Sequence, residues 1–118
     1  MATRKILVVD DNMDAADMTA ELLRVFGLDV DVAYGGNEAL AAARARAPDV
    51  IFLDLGMPLV DGYDVAKALR AEVMFNSVKL VALTAWGDES SRERAKAAGF
   101  DLHLMKPTHI SALVDIAA

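Results

Sequence analysis

Residues 50–54 read Val50-Ile51-Phe52-Leu53-Asp54, an unbroken apolar run that ends in a carboxylate. A run apolar on both faces suits a strand buried in the middle of a parallel sheet with helices above and below it. Runs of the same character recur outward from it, Ile6–Val9 and Val30–Ala33 before it, Val78–Leu83 and Leu102–Met105 after it. The segments between them carry helical spacing. In the first, Ala15, Met18, Leu22, Val25 and Phe26 share one face, expected to be the buried one, and Gly27 is placed to end the helix. In the second, Leu40, Ala43 and Ala47 recur at three and four, with Pro48 closing it. The third opens at Asp61-Gly62 with Asp61 as N-cap and turns Val65, Ala68 and Leu69 inward. The fourth runs from near Asp88 to Gly99, and the last starts near Ile110 with Leu113 and Val114 inward. Strand and helix alternating five times predict an α/β fold, a (βα)5 open, doubly wound parallel sheet.

Composition bounds what such a fold does here. The chain has 118 residues, a formal net charge of −6, 55% hydrophobic and 25% charged residues, and no cysteine. That length is one domain with a real core, residues 1–118, and the apolar content excludes a disordered chain. No apolar run approaches the ~18–20 residues that span a bilayer. Arg4-Lys5 before Ile6–Val9 imitates the start of a signal peptide without its core region, so a cytoplasmic location is expected. Without cysteine there are no disulfides, thiolate zinc sites or cysteine nucleophiles. The acidic balance argues against direct nucleic-acid binding.

In open α/β sheets ligands bind beyond the carboxyl ends of the strands. Four of the five expected strands end there in a distinctive residue: Asp10-Asp11, Asp54, Thr84 and Lys106-Pro107. Each alone reads as a turn residue or a cap. Together they predict a pocket of carboxylates whose mutual repulsion calls for a cation. An oxygen-only donor set points to Mg²⁺. Zinc is disfavoured, since His103 and His109 lack helical i, i+4 spacing. With metal and Lys106 included, the site is near neutral and open to an anion. A phosphoryl group has oxygens for the metal, for Lys106 and for the Thr84 hydroxyl. Asp54, fixed behind its buried run, is the natural nucleophile, and Asp11 with Asp10 would hold the metal. The loop Asp10-Asp11-Asn12-Met13-Asp14 itself repels phosphate, and no GxGxxG, GxxxxGK[ST] or GxSxG occurs, so nucleotide binding by this loop is not expected.

These residues, in this order and spacing, resemble the receiver domains of bacterial two-component response regulators, the CheY-like family. The resemblance covers essentially the whole chain. It rests on Ile6-Leu7-Val8-Val9-Asp10-Asp11-Asn12, Asp54-Leu55-Gly56-Met57-Pro58 with Asp61-Gly62, Leu83-Thr84-Ala85, and Lys106-Pro107. It implies a flavodoxin-like strand order 2-1-3-4-5. It implies Asp54 as phosphoacceptor, Asp10 and Asp11 as the acidic pair for Mg²⁺, and the Gly56 carbonyl as a further ligand. Thr84 and Lys106 would bind phosphoryl oxygens, and Lys106–Pro107 would be cis. The phosphoryl donor would be a histidine kinase or a histidine phosphotransfer protein.

Several positions depart from the family's usual residues. His103 stands where it commonly has Tyr or Phe. It is either an edge-strand histidine at the surface or a switch that turns inward as Thr84 moves, and as an imidazole it would be sensitive to pH near neutrality. Gly56 leaves the hydrolytic water without a side chain to guide it, which implies a long-lived phosphoryl group. Trp86 either caps its loop or faces a partner. The stretch Gly99–Pro107 is similar to receivers attached to hybrid sensor kinases. The fourth helix is almost wholly polar between Glu89 and Lys96, either a solvated surface helix or a loosely anchored element able to shift. Two other functions share the residues. A phosphohydrolase of the haloacid dehalogenase type would need Asp-x-Asp, but Gly56 stands two beyond Asp54. A domain that kept the fold and lost the chemistry would show no response to Mg²⁺.

Overall fold

The computed structural model describes residues 4–57, 61–85 and 89–117. Five strands, β1 (Lys5–Val9), β2 (Asp29–Ala33), β3 (Val50–Asp54), β4 (Lys79–Thr84) and β5 (Leu102–Met105), alternate with five helices. These are α1 (Met13–Val25), α2 (Gly36–Arg46), α3 (Gly62–Arg70), α4 (Glu89–Ala98) and α5 (Ile110–Ala117). All strand pairs are parallel, in the order β2-β1-β3-β4-β5.

Strand parity sorts the core into two layers, because successive side chains leave opposite faces of the sheet. Leu7, Val9, Ile51, Leu53, Leu80 and Ala82 meet α2, α3 and α4, whereas Ile6, Val8, Val50, Phe52, Val81 and Leu83 meet α1 and α5. The predicted α/β doubly wound fold and its strand order are therefore present. Burial on both faces holds for β1, β3 and β4 but not for the sheet edges. In β2, Asp29 and Asp31 interrupt the apolar run and both pair with Arg46, a charged guard of the kind that blunts an edge strand. In β5, Leu102 and Met105 are exposed. Strand β4 starts at Lys79, one residue after the expected Val78.

The helices correct the sequence reading more sharply. In α1 the buried residues are Ala16, Ala20 and Leu23, while Met18, Leu22, Val25 and Phe26 lie open to solvent, Val25 at 80% exposure. Both sets repeat at helical spacing, so periodicity alone could not choose between them. The smaller side chains win because they let the helix sit close to the sheet. In α3, Ala66 rather than Ala68 is fully buried beside Val65 and Leu69. A short 3-10 turn, Val73–Phe75, was not anticipated. The fourth helix buries Ala95 and Ala98 alone and ends at Gly99, whose φ is +106°. Its expected start at Asp88 lies outside the described residues, as do Trp86 and Pro58.

Ala47 is not part of the α2 stripe. It closes the helix in the left-handed conformation, φ 46° and ψ 70°, with its N–H donating to the Ala43 carbonyl. Pro48 behind it disfavours the right-handed alternative. A non-glycine residue there costs about 1–2 kcal/mol, of which the greater backbone entropy of glycine returns roughly half. Ala47→Gly is therefore expected to stabilise the protein by about 0.5–1 kcal/mol, read as a higher thermal midpoint. An unchanged or lower midpoint would refute the assignment of strain to this residue.

Candidate functional site

The carboxyl ends of β1, β3 and β4 open on one side of the sheet, and the pocket is built there. Asp10 leaves β1 with its N–H donating to the Ala33 carbonyl (3.1 Å). Its Oδ1 accepts from Asn12 N (3.0 Å), and the Asn12 Oδ1 caps α1 by accepting from Ala15 N (3.1 Å). The turn that carries Asp10 and Asp11 is thus fixed by one side-chain bond and one helix cap. Asp54 ends the wholly buried β3, and its Oδ1 accepts from Gly56 N (2.9 Å). Buried Leu55 and Met57 anchor the chain beyond it.

The carboxylate oxygens of Asp10, Asp11 and Asp54 approach within 4.8 Å of one another. Asp10 and Asp54 are 8% and 6% exposed, so little water screens their repulsion. Lys106 reaches in from beyond β5, its Nζ 3.3 Å from Asp10 Oδ2 and 3.2 Å from Asp54 Oδ2. Its N–H donates to the Thr84 carbonyl (2.7 Å), and the Lys106–Pro107 bond is cis. Thr84 ends β4 at 1% exposure, one place beyond Leu83, which is in register with Asp54. Gly56 has room beside the cluster, since a Cβ there would stand 3.5 Å from Asp54 Oδ1.

Charge balance sets the chemistry. Burial pushes the Asp54 carboxyl up from its ordinary value and Asp10 adds to this, against the opposing pull of the Gly56 N–H and Lys106. Burial works against the Lys106 ammonium, but Asp54 and Asp10 outweigh it and hold its pKa above the usual lysine value. Three carboxylates facing one ammonium leave an excess of negative charge that no other described side chain neutralises. This all-oxygen set could hold a hard divalent cation.

The structure brings Asp10, Asp11, Asp54 and Lys106 into one cluster, with Gly56 beside Asp54 and Thr84 at the end of the neighbouring strand β4. His103 stands apart from it. It is in register with Ala82, and its ring nitrogens are buried beneath a cleft of about 550 Å³ that Arg92, Ala95, Lys96 and Phe100 also line. His103 thus lies on the edge strand β5, half-buried, with its ring nitrogens out of solvent. Sequence reasoning missed Arg94, whose guanidinium ties α4 to the first turn of α3. No pattern in the sequence pairs it with Asp61 and Tyr63, because the contact is tertiary.

Comparison with known proteins agrees with this geometry. Residues 6–118 match the model of the response regulator receiver domain. The transcriptional regulatory protein PrrA of Mycobacterium tuberculosis is 40% identical over 110 residues, 93% of this chain and 46% of that protein. The DNA-binding response regulator MtrA of Mycobacterium leprae is 39% identical over 111 residues, 94% of this chain and 48% of that protein. The chain spans about half the length of these curated relatives. Among solved structures, the chemotaxis protein CheY4 of Vibrio cholerae superposes with a TM-score of 0.93 at 31% identity, covering 98% of this chain and 96% of that one. The fold is also shared with the BeF3-activated DrrB receiver domain, at a TM-score of 0.85, 24% identity, and coverage of 98% and 94%. Matched along almost its whole length in sequence and fold, this chain belongs to the response regulator receiver domain family, the CheY-like receivers of two-component signalling.

Proposed function

We propose that residues 1–118 act as one receiver unit that takes a phosphoryl group onto Asp54 from a histidine kinase or a histidine phosphotransfer protein. The observation that supports this most is a buried carboxylate at the end of the central strand, with two more carboxylates and one ammonium within reach. Asp10, Asp11, Asp54 and the Gly56 carbonyl would hold Mg²⁺. When bound, that ion neutralises the carboxylates and lets the dianionic phosphoryl group approach. An Asp54 carboxylate oxygen attacks phosphorus, the P–N bond to the donor imidazole breaks, and the imidazole leaves with the bonding pair and takes up a proton. Lys106 and Thr84 bind the oxygens of the transferred group.

Both directions of this chemistry, uptake and slow loss of phosphate to water, are assigned to the receiver's own residues. The added charge of about −1.5 to −2 then biases a two-state equilibrium of the α4–β5 face, with Thr84 and His103 as the switch. The net charge of −6 supports signalling through protein contact rather than through nucleic acid touched by this domain. No helix among the described residues is long and apolar enough to cross a membrane, which fits a cytoplasmic site of action.

Incubation with acetyl phosphate and Mg²⁺, followed by intact mass measurement, tests the reading. One acid-labile phosphoryl adduct is expected, absent without Mg²⁺ and absent in Asp54→Ala. An adduct undiminished in Asp54→Ala would refute it.

A further inference from the structure

Two of the contacts that attach α4 to the fold differ in kind. Ala95 and Ala98 supply a small apolar contact, smooth enough to slide with little loss. Arg94 supplies a directional one. Its Nη2 lies 2.9 Å from Asp61 Oδ2, and its guanidinium carbon stands 4.0 Å above the centre of the Tyr63 ring. The same Asp61 carboxylate caps α3, Oδ1 accepting from Tyr63 N at 2.8 Å. Between these two partners lies Gly62, pressed onto the phosphoacceptor strand. A Cβ there would come 2.9 Å from Leu55 Cα and 3.0 Å from the Asp54 carbonyl oxygen. Residues 61–63 therefore rest on the backbone of Asp54 and Leu55 while gripping α4 through Arg94. Thr84 ends β4, and four residues in the sequence separate it from Glu89 at the start of α4.

We infer that Arg94 is a positioning residue, a latch that fixes α4 against the first turn of α3 and opposes its displacement when the pocket fills. The inference rests on the phosphoacceptor reading. Movement of Thr84 toward a phosphoryl group pulls on the start of α4, and the Arg94 clasp resists from its middle. A clasp that favours one of two arrangements lowers the apparent affinity of any ligand that needs the other. Arg94 is well exposed, so the clasp is weak. An exposed ion pair with a cation–π contact corresponds to roughly a fivefold effect on binding.

The test uses beryllofluoride with Mg²⁺ as the probe, titrated by calorimetry, together with amide exchange of the unliganded protein. Arg94→Ala is expected to bind beryllofluoride roughly fivefold more tightly than the wild type. Arg94→Lys should fall between them, since it keeps the charge and loses the planar fork. Asp61→Asn keeps the cap and the Arg94–Tyr63 stacking and removes the ion pair, so it should fall between the wild type and Arg94→Ala. The double variant should bind no more tightly than Arg94→Ala, which already removes both contacts. Amide exchange across α4 should quicken in both single variants, more in Arg94→Ala, with the thermal midpoint little changed. Equal or weaker beryllofluoride binding by Arg94→Ala, or unchanged α4 exchange, would overturn the latch. Faster exchange in a protein whose wild type binds no beryllofluoride would instead overturn the phosphoacceptor reading, and with it the role of the latch in the response.

Discussion

Arg70→Ala is expected to lower the stability by about 3 kcal/mol, which for a domain of this size moves the thermal midpoint down by ten degrees or more. Arg70 ends α3 and bonds to two other segments, the turn at Phe75 and the 99–101 connection between α4 and β5. Its Nε donates to the Gly99 carbonyl (2.9 Å) and its Nη1 to the Phe75 carbonyl (2.7 Å), while Nη2 pairs with Asp101 Oδ2 (2.9 Å). The same Asp101 oxygen accepts from Leu80 N (2.8 Å), so one guanidinium sets where β5 begins beside β4. The Asp101 side chain is about half exposed and contributes little as an ion pair, and most of the loss comes from the two backbone acceptors.

Lysine cannot span three acceptors in a fork, so Arg70→Lys should recover only part of the loss. Gly99 adds a second handle. Its φ of +106° strains any side chain, and a Cβ there would stand 2.6 Å from Arg70 Cγ. Gly99→Ala should therefore cost less in the Arg70→Ala background than alone. Denaturant unfolding of the four proteins checks this, and strictly additive losses would contradict the packing described.

Asp10→Asn is expected to stabilise the metal-free protein by about 1–2 kcal/mol while weakening its response to Mg²⁺ at least tenfold. The two effects have one cause, the crowding of three carboxylates around one ammonium. Asparagine keeps an acceptor for the Asn12 N–H and removes one of the three negative charges that the single Lys106 ammonium has to offset. The pH dependence follows in sign. Burial, then Asp10, raises the Asp54 pKa in the folded state above its unfolded value near 3.8, so the fold favours protonated Asp54. That contribution is present at low pH and is lost as pH rises through the folded-state pKa. The advantage of Asp10→Asn in chelator is therefore largest at neutral pH and shrinks as acid protonates Asp54. Thermal melts across pH, with and without Mg²⁺, measure both. A metal-free Asp10→Asn protein less stable than the wild type at pH 7 would show that Asp10 is not crowded.

The sheet and the pocket were legible in the sequence for the same reason. A strand buried on both faces has to be a continuous apolar run, and Val50–Leu53 is one. The residue that follows such a run leaves the sheet at its ligand-binding edge, which is how Asp10, Asp54 and Thr84 declared themselves. Lys106 followed from its place after the last run. What sequence could not show depended on size and on partners distant in the chain. In α1 two stripes share the helical period, and only the close approach of helix to sheet selects Ala16 and Ala20 over Met18 and Leu22. Arg70 and Arg94 look like solvated surface charges until tertiary structure sets Gly99, Phe75, Asp61 and Tyr63 beside them.

The most direct test of the account is chemical mapping of the phosphorylated site. Protein treated with acetyl phosphate and Mg²⁺ is reduced with borohydride, which converts an aspartyl phosphate to homoserine, then digested and sequenced by mass spectrometry. Homoserine at position 54 and nowhere else is the predicted result. Homoserine at position 10 or 11, or none in a protein that carries the phosphoryl mass, would contradict it.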